Sequence, residues 1–288
     1  MLRSLNSGVS GLNQFQGELD VIGNNIANSN TIGYKAARAD FADSFSETLQ
    51  AASNSTGSGR TTPSLQIGSG VTTATVKTLF GQGATSGTGV LTDLSVSGQG
   101  FFMVKDAASG EQFATRAGDF RLDNNGYLVT NDGLRVQGFN DSTLGARGDL
   151  QVDGTGRPLT SSATATVSGF NVDSEGKINV RLSDGTGFVR GQVLLQNFRD
   201  PQALLKQGGN LYSNLGPAGP LGGSAAPLSA APGTNGLGRI QSGALELSNV
   251  DLANEFANLI TTQRGFQASA KIITTSDEIL QEIVNLKR

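Results

Sequence analysis

The chain contains no cysteine, no histidine and no tryptophan. Without thiols there is no disulfide framework, no thiolate nucleophile and no Cys-ligated zinc. Without imidazole there is no Ser-His or Cys-His catalytic pair and no HExxH metal site. An enzyme of this composition would have to run on carboxylates, Lys, Tyr or Ser-Lys chemistry. No apolar run reaches the roughly 18 residues that a membrane-spanning helix needs. The first residues, MLRSLNSGVSGLNQF, carry a single Arg and lack the apolar stretch of a secretory signal. Any departure from the cytoplasm is therefore expected by another route. The formal net charge of −3 offers no basic field and argues against a nucleic-acid partner. No GxxxxGK[ST] and no strand–GxGxxG–helix unit occurs, so no phosphate loop, cofactor or small-molecule substrate is expected. What is abundant is glycine: 40 of 288 residues, about twice the usual ~7% share. These exclusions leave a structural or interaction protein.

Both ends of the chain have helical periodicity. Leu5, Leu12, Leu19 and Ile26 recur every seven residues, and Leu2, Val9, Gln16 and Gly23 lie three residues before each. Near the other end Leu252, Leu259, Phe266, Ile273 and Leu280 repeat at the same interval, interleaved with Phe256, Gln263, Ala270, Asp277 and Val284. Each set is a heptad with one strict apolar seam and one permissive seam, the pattern of a helix that seeks a helical partner. Ser248 followed by Asp251 reads as a capping box opening the second helix. With Gly265 as its only glycine and no proline, that helix would be on the order of 55 Å long at ~1.5 Å per residue. Either seam alone fits an amphipathic helix on a globular core. Two of them around a glycine-rich middle favour pairing with each other or with neighbouring subunits.

The middle, from about Gly70 to Tyr212, reads as β structure: short alternating runs such as Val71–Val76 separated by glycine turns. Leu122-Asp-Asn-Asn-Gly126, Val152-Asp-Gly-Thr-Gly156 and Val172-Asp-Ser-Glu-Gly176 repeat an apolar–Asp…Gly pattern that signals hairpins. Asp123–Gly126 lacks the spaced oxygens and closing Glu of a calcium loop, so the turn is preferred and no metal is expected. The carboxylate pairs Glu246/Asp251 and Asp277/Glu278 lie around or on the second helix, where solvated charge is the default. The predicted organisation is α+β. Residues 1–50 hold the first helix, 51–69 a polar connector and 70–215 a β-rich outer domain with a small excursion near 134–190. A Gly/Pro/Ala-rich connector follows over 216–240, and 241–288 hold the second helix. Together the terminal helices would form a coiled-coil-like core.

Three stretches carry a resemblance. Asp20–Lys35 reads D-V-I-G-N-N-I-A-N-S-N-T-I-G-Y-K. It is similar to the signature D-V-I-x-N-N-[IL]-A-N-x-x-T-x-G-[FY]-K of the bacterial flagellar rod and hook axial proteins. Gly98-Gln-Gly-Phe-Phe102 and the following Phe113–Arg116, Gly118–Phe120 resemble that family's G-x-G-F-F strand and next hairpin. Ser248-Asn249-Val250-Asp251, Glu255, Gln263-Arg264 and Phe266 resemble its C-terminal segment. The matching positions are Asp20, Asn24, Asn25, Asn28, Gly33, Tyr34, Lys35, Ser248, Asn249, Asp251, Gln263 and Arg264. On the residues themselves, the three Asn suit either a local helix stop or polar contacts between subunits, and Arg264 either meets solvent or bonds a neighbour.

The resemblance implies a non-enzymatic subunit that assembles with copies of itself into a helical tube. Terminal helices would line its inner core, and other flagellar axial proteins would meet its ends. It also implies export through the flagellar type III apparatus without a cleaved signal peptide, and a place in the hook or basal body, extracellular or periplasm-spanning. Leu5, Val9, Leu12, Leu19, Ile26, Leu252, Phe256, Leu259, Phe266, Ile273, Leu280 and Val284 would form the subunit interfaces. Residues 233–251 resemble the hook protein most, which makes the hook the expected place. The short chain, Leu65–Val71 and the polar insertion before them resemble the distal rod protein instead, the alternative. A secreted β-rich adhesin is the competing reading of another class.

Overall fold

A computed structural model describes residues 2–52, 63–158, 161–162, 164–221 and 229–286. The chain divides into two compact units. One comprises Met1–Ala27, Ala36–Leu79 and Val250–Arg288, and the other Asn28–Lys35 and Phe80–Asn249.

The helix unit holds α1 (Leu2–Ala27), α2 (Leu252–Leu286) and a two-stranded ribbon. Asp251 caps α2: its Oδ1 accepts from the amides of Ala253 at 3.0 Å and Asn254 at 3.3 Å. The helix therefore starts three residues later than a cap at Ser248 would place it. The helices run antiparallel. Asn25 donates to the Glu255 carboxylate at 3.2 Å, Phe15 faces Gly265, and Gly8 faces Ile273, so advance along α1 is retreat along α2.

The ribbon corrects the expected organisation. Ala37–Asp43 pairs with Val71–Thr78, and Ser46–Gln50 pairs with Leu65–Gly68. Residues expected to follow a helix, or to form a connector over 51–69, are thus paired strands, and Val71–Thr78 groups with the helices rather than with the β-rich middle. The polar run Ser53–Thr62 lies outside the described residues. Phe15 meets Phe41 edge-on at 6.4 Å, which seats the ribbon against α1.

The β unit is built on a sheet whose main path runs, all antiparallel, through eight strands. In spatial order these are Val167–Val172, Lys177–Leu182, Gly187–Val193, Arg135–Phe139, Phe101–Lys105, Gln112–Thr115, Leu211–Ser213 and Leu205–Gly208. Alternation explains its two cores. From the strand Phe101–Lys105, Phe102 and Val104 enter a cluster with Leu94, Leu150, Val193 and Leu195. Phe101 and Met103 enter a second cluster with Phe198, Leu204 and Tyr212.

Two of the three Asp…Gly repeats close hairpins. Gly126 and Gly176 take φ of 78° and 79°, and their amides donate to the carbonyls of Asp123 and Asp173 at 2.8 Å. The middle repeat is a turn without a hairpin, and its Asp153 pairs with Arg190. The stretch near 134–190 is no excursion, because its strands belong to the main sheet. The connector expected over 216–240 is also built in where it is described. Pro220 bridges Phe198, Ala230 bridges Leu195, and Arg239–Ser242 pairs with Leu94–Ser97. Glycine and proline there shape turns that press Leu237 and Ile240 into the core.

Candidate functional site

The helix pair is the first candidate surface. Leu5, Leu12, Leu19 and Ile26 are half-buried along α1, as are Leu259, Phe266, Ile273 and Leu280 along α2. The positions that complete each buried seam are not the ones expected. On α1 they are Gly8, Phe15 and Ile22, three residues after the leucines rather than before, while Val9, Gln16 and Gly23 are exposed. On α2 they are Glu255, Thr262, Ser269 and Ser276; Leu252, Phe256, Gln263, Asp277 and Val284 are exposed and Ala270 is half-buried.

Small residues explain the choice. A Cβ on Gly8 would lie 3.3 Å from Ile273, and one on Gly11 3.1 Å from the Ser269 hydroxyl. A Cβ on Gly265 would press into the Phe15 ring at 2.7 Å. The helices approach at close range, and Ser276 satisfies its buried hydroxyl by donating to the Ile272 carbonyl at 2.7 Å. Hydropathy cannot find such a seam, but the seven-residue recurrence of Thr262, Ser269 and Ser276 could have.

The apolar bulk of α2 consequently stands elsewhere. Phe256, Ile260, Ile272, Ile279, Ile283 and Val284 are each between 45% and 64% exposed. On the ribbon, Phe45, Leu49, Leu65 and Ile67 are exposed as well. Apolar exposure on this scale marks interaction surfaces.

The second candidate gathers the motif residues. Asn25 is buried and works within the chain. Its Oδ1 accepts from the Ala37 amide at 2.9 Å and its Nδ2 donates to the Ala37 carbonyl at 2.8 Å, beside the bond to Glu255. Asn28 accepts from the Thr31 hydroxyl at 3.0 Å in the turn that ends α1. Asp20 and Asn24 are exposed on α1. Gly33 takes φ of 67°, and a Cβ there would stand 2.5 Å from the Ala117 amide nitrogen. Only glycine fits. Tyr34 is buried with the Lys206 ammonium 4.7 Å over its ring. Gln263 and Arg264 lie exposed on α2, and Arg264 donates to Gln267 at 3.2 Å.

Lys35 is fully buried, which lysine almost never is unless it is paired. Its Nζ donates to the Glu246 Oε1 and to the Gly81 carbonyl, both at 2.7 Å. Glu246 is equally buried, correcting its reading as solvated charge. Its Oε1 also accepts from the Gly83 amide at 2.9 Å and its Oε2 from Arg116 at 3.2 Å, and its carbonyl from the Gly33 amide at 2.8 Å. Arg116 further donates to the Gly98 carbonyl at 2.9 Å and lies 5.2 Å over the Phe101 ring. Burial pulls Lys35 below lysine's ordinary value, with the hydrogen bond and charge of Glu246 opposing it, and lowers Arg116 in the same way. Asn249 donates to the same Gly81 carbonyl at 3.2 Å. Among the described residues no group of three or more His, Cys, Asp or Glu could hold a metal ion, and no helix is long and apolar enough to cross a membrane.

Three family descriptions match along the chain: "Flagella basal body rod protein" over residues 5–35, "Flagellar hook protein FlgE/F/G D1 domain" over 95–180 and "Flagellar basal body rod FlgEFG protein C-terminal" over 241–286. The flagellar basal-body rod protein FlgG of Bacillus subtilis is 43% identical over 288 residues, covering all of both chains. The chain belongs to the flagellar rod and hook family. FlgG of Buchnera aphidicola from Acyrthosiphon pisum is 34% identical, over 99% of this chain and all of its own. The hook protein FlgE of Borreliella burgdorferi is 28% identical in an alignment of 449 residues that also covers all of both.

As a member of the rod and hook family this chain is a structural component of the flagellar axis and not an enzyme. The first and third matched regions hold the two helices. They also hold Lys35 and Glu246, which lie far apart in sequence and meet in the fold.

Proposed function

We propose that this chain is the distal rod subunit, self-assembling through head-to-tail contacts that do not close, into a straight segment of helical tube. The observation that carries the assembly is the set of exposed apolar side chains on α2, which copies of the chain would cover. The expected seam residues Leu252, Phe256 and Val284 are among them, so their role as subunit contacts stands as part of the proposal. Val9 is exposed on α1, and its role as a subunit contact is likewise part of the proposal.

The choice of rod over hook reverses the expectation drawn from residues 233–251. Rod proteins align with this chain end to end at equal length, whereas the hook protein aligns only across a much longer span. Other axial proteins would meet the two ends of the segment. The chain would reach its periplasm-spanning place through the flagellar type III export apparatus.

Assembly is tested by electron microscopy and sedimentation of the purified chain under precipitating salt. Tubes or fibres are expected, and their loss on Ile260→Glu with Ile272→Glu; monomer under every condition refutes assembly. Gene deletion tests the position. Cells lacking a complete rod are expected, and cells that finish the rod but make no hook would instead identify the hook.

A further inference from the structure

The backbone passes between the two units four times, after residues 27, 35, 79 and 249. On the β unit three segments lead to these passages: 28–35, the start of 80–87, and 244–249. One carboxylate holds all three. Glu246, itself in the third segment, binds Lys35 and the Gly33 amide of the first and the Gly83 amide of the second. Lys35 and Asn249 both donate to Gly81, and the Lys206 ammonium donates to the Lys35 carbonyl at 3.1 Å. Arg116, rooted in the sheet beside Phe101, ties the carboxylate to the core. Phe80 adds an aromatic anchor, 5.5 Å from the rings of both Phe101 and Tyr212.

We propose that Lys35, Glu246 and Arg116 form a buried ionic clamp that makes the three connecting segments of the β unit open and close as one cooperative element. The physical reason lies in what a partial opening would leave behind. Withdrawing the first segment strips Glu246 of Lys35, withdrawing the second strips the buried Lys35 and Glu246 of the Gly81 carbonyl and the Gly83 amide, and withdrawing the third leaves Lys35 and Arg116 as two buried cations with no carboxylate. An unpaired buried charge costs far more than the pair gains, so the segments leave together or not at all. The clamp belongs to the free chain and holds whether or not the chain is a rod subunit.

Native-state hydrogen exchange on the full chain tests it. Three backbone amides report the three segments: Gly33, bonded to the Glu246 carbonyl; Gly83, bonded to its carboxylate; and Leu247, bonded to Ala84. In the unaltered chain these three are expected to share one opening constant, well above that of the Phe101–Lys105 strand. Glu246→Gln should raise all three by at least tenfold by the same factor while the central strand is unmoved. Should that variant not fold, Lys35→Met, which keeps most of the buried stem, is expected to do the same. Different opening constants for the three amides in the unaltered chain overturn the clamp. So does a variant in which only Gly83 responds, or one in which the whole sheet loosens by an equal factor.

Discussion

Replacing Gly33 by alanine separates two costs that the fold imposes at one motif position. The residue sits at φ of 67°, and a Cβ would lie 2.5 Å from the Ala117 nitrogen and 2.7 Å from the Arg116 carbonyl carbon. Left-handed backbone costs a residue with a Cβ roughly 1–2 kcal/mol. Forcing backbone apart for an extra methyl adds about 1–3 kcal/mol. The sum is about 2–5 kcal/mol, or roughly 5–15 °C in melting temperature for a unit of this size. Gly133 isolates the first cost: its φ is 86° and nothing lies within 4 Å of its Cβ position. Gly133→Ala should therefore lose only about 1–2 kcal/mol. Gly23→Ala reverses the sign, because the position is helical and open and alanine favours a helix by about 0.5–1 kcal/mol. Thermal melting of the dilute monomer, followed by circular dichroism and calorimetry, measures all three. Equal losses at Gly33 and Gly133 would refute the close approach to the Arg116–Ala117 backbone.

Four further outcomes follow from single side chains. Asp251→Ala removes the α2 cap and should cost the helix unit about 0.5–2 kcal/mol, read as earlier loss of helicity on heating. Ser269→Leu should weaken the helix pair by about 1–3 kcal/mol through overpacking at the tight crossing, while Phe256→Glu leaves the monomer's melting within about 0.5 kcal/mol and blocks assembly. Burial, with Asp93 and Asp132 adding repulsion, holds the Asp119 carboxyl above its ordinary value of 3.8. A carboxyl raised in the native state contributes stability that is complete below the unfolded value and lost as pH rises through the native one. Asp119→Asn should thus raise the melting temperature at neutral pH and leave it unchanged in acid.

The parts legible in the sequence were those in which one physical signal dominates. Leucine recurrence located both helices, and Asp…Gly spacing located two hairpins. What was not legible depended on partners distant in the chain. Thr262, Ser269 and Ser276 carry no hydropathic signal, so apolar spacing alone picks out Phe256 and Val284, which face away from α1, and not the small residues that let the two helices approach. Glu246 looked like any surface carboxylate. Only its setting in the strand Ala244–Glu246, flanked by Leu245 and Leu247, hinted that a charge was entering a core. Pro220 and Ala230 sit in a composition typical of linkers, yet Pro220 bridges Phe198 and Ala230 bridges Leu195 in a strand, because pairing uses backbone groups that every residue except proline's missing N–H supplies.

The distribution of side chains on α2 decides where its stability comes from. Along the seam shared with α1 the leucines are only half-buried, and Gly8, Gly11, Thr262, Ser269 and Ser276 among them permit close approach but remove little apolar surface from water. Six large apolar side chains, Phe256, Ile260, Ile272, Ile279, Ile283 and Val284, remain about half in solvent. Burying each fully is worth about 1.5–3 kcal/mol, so covering their exposed halves would yield on the order of 5–10 kcal/mol per subunit before ordering costs. The intramolecular seam sets the antiparallel register of the helices, and under the proposed assembly contacts with further copies would cover the apolar surface that the pair leaves in water. A consequence can be measured directly: helical content and its thermal midpoint should rise with protein concentration, and the Ile260→Glu, Ile272→Glu chain should lose that dependence while keeping the melting of its β unit.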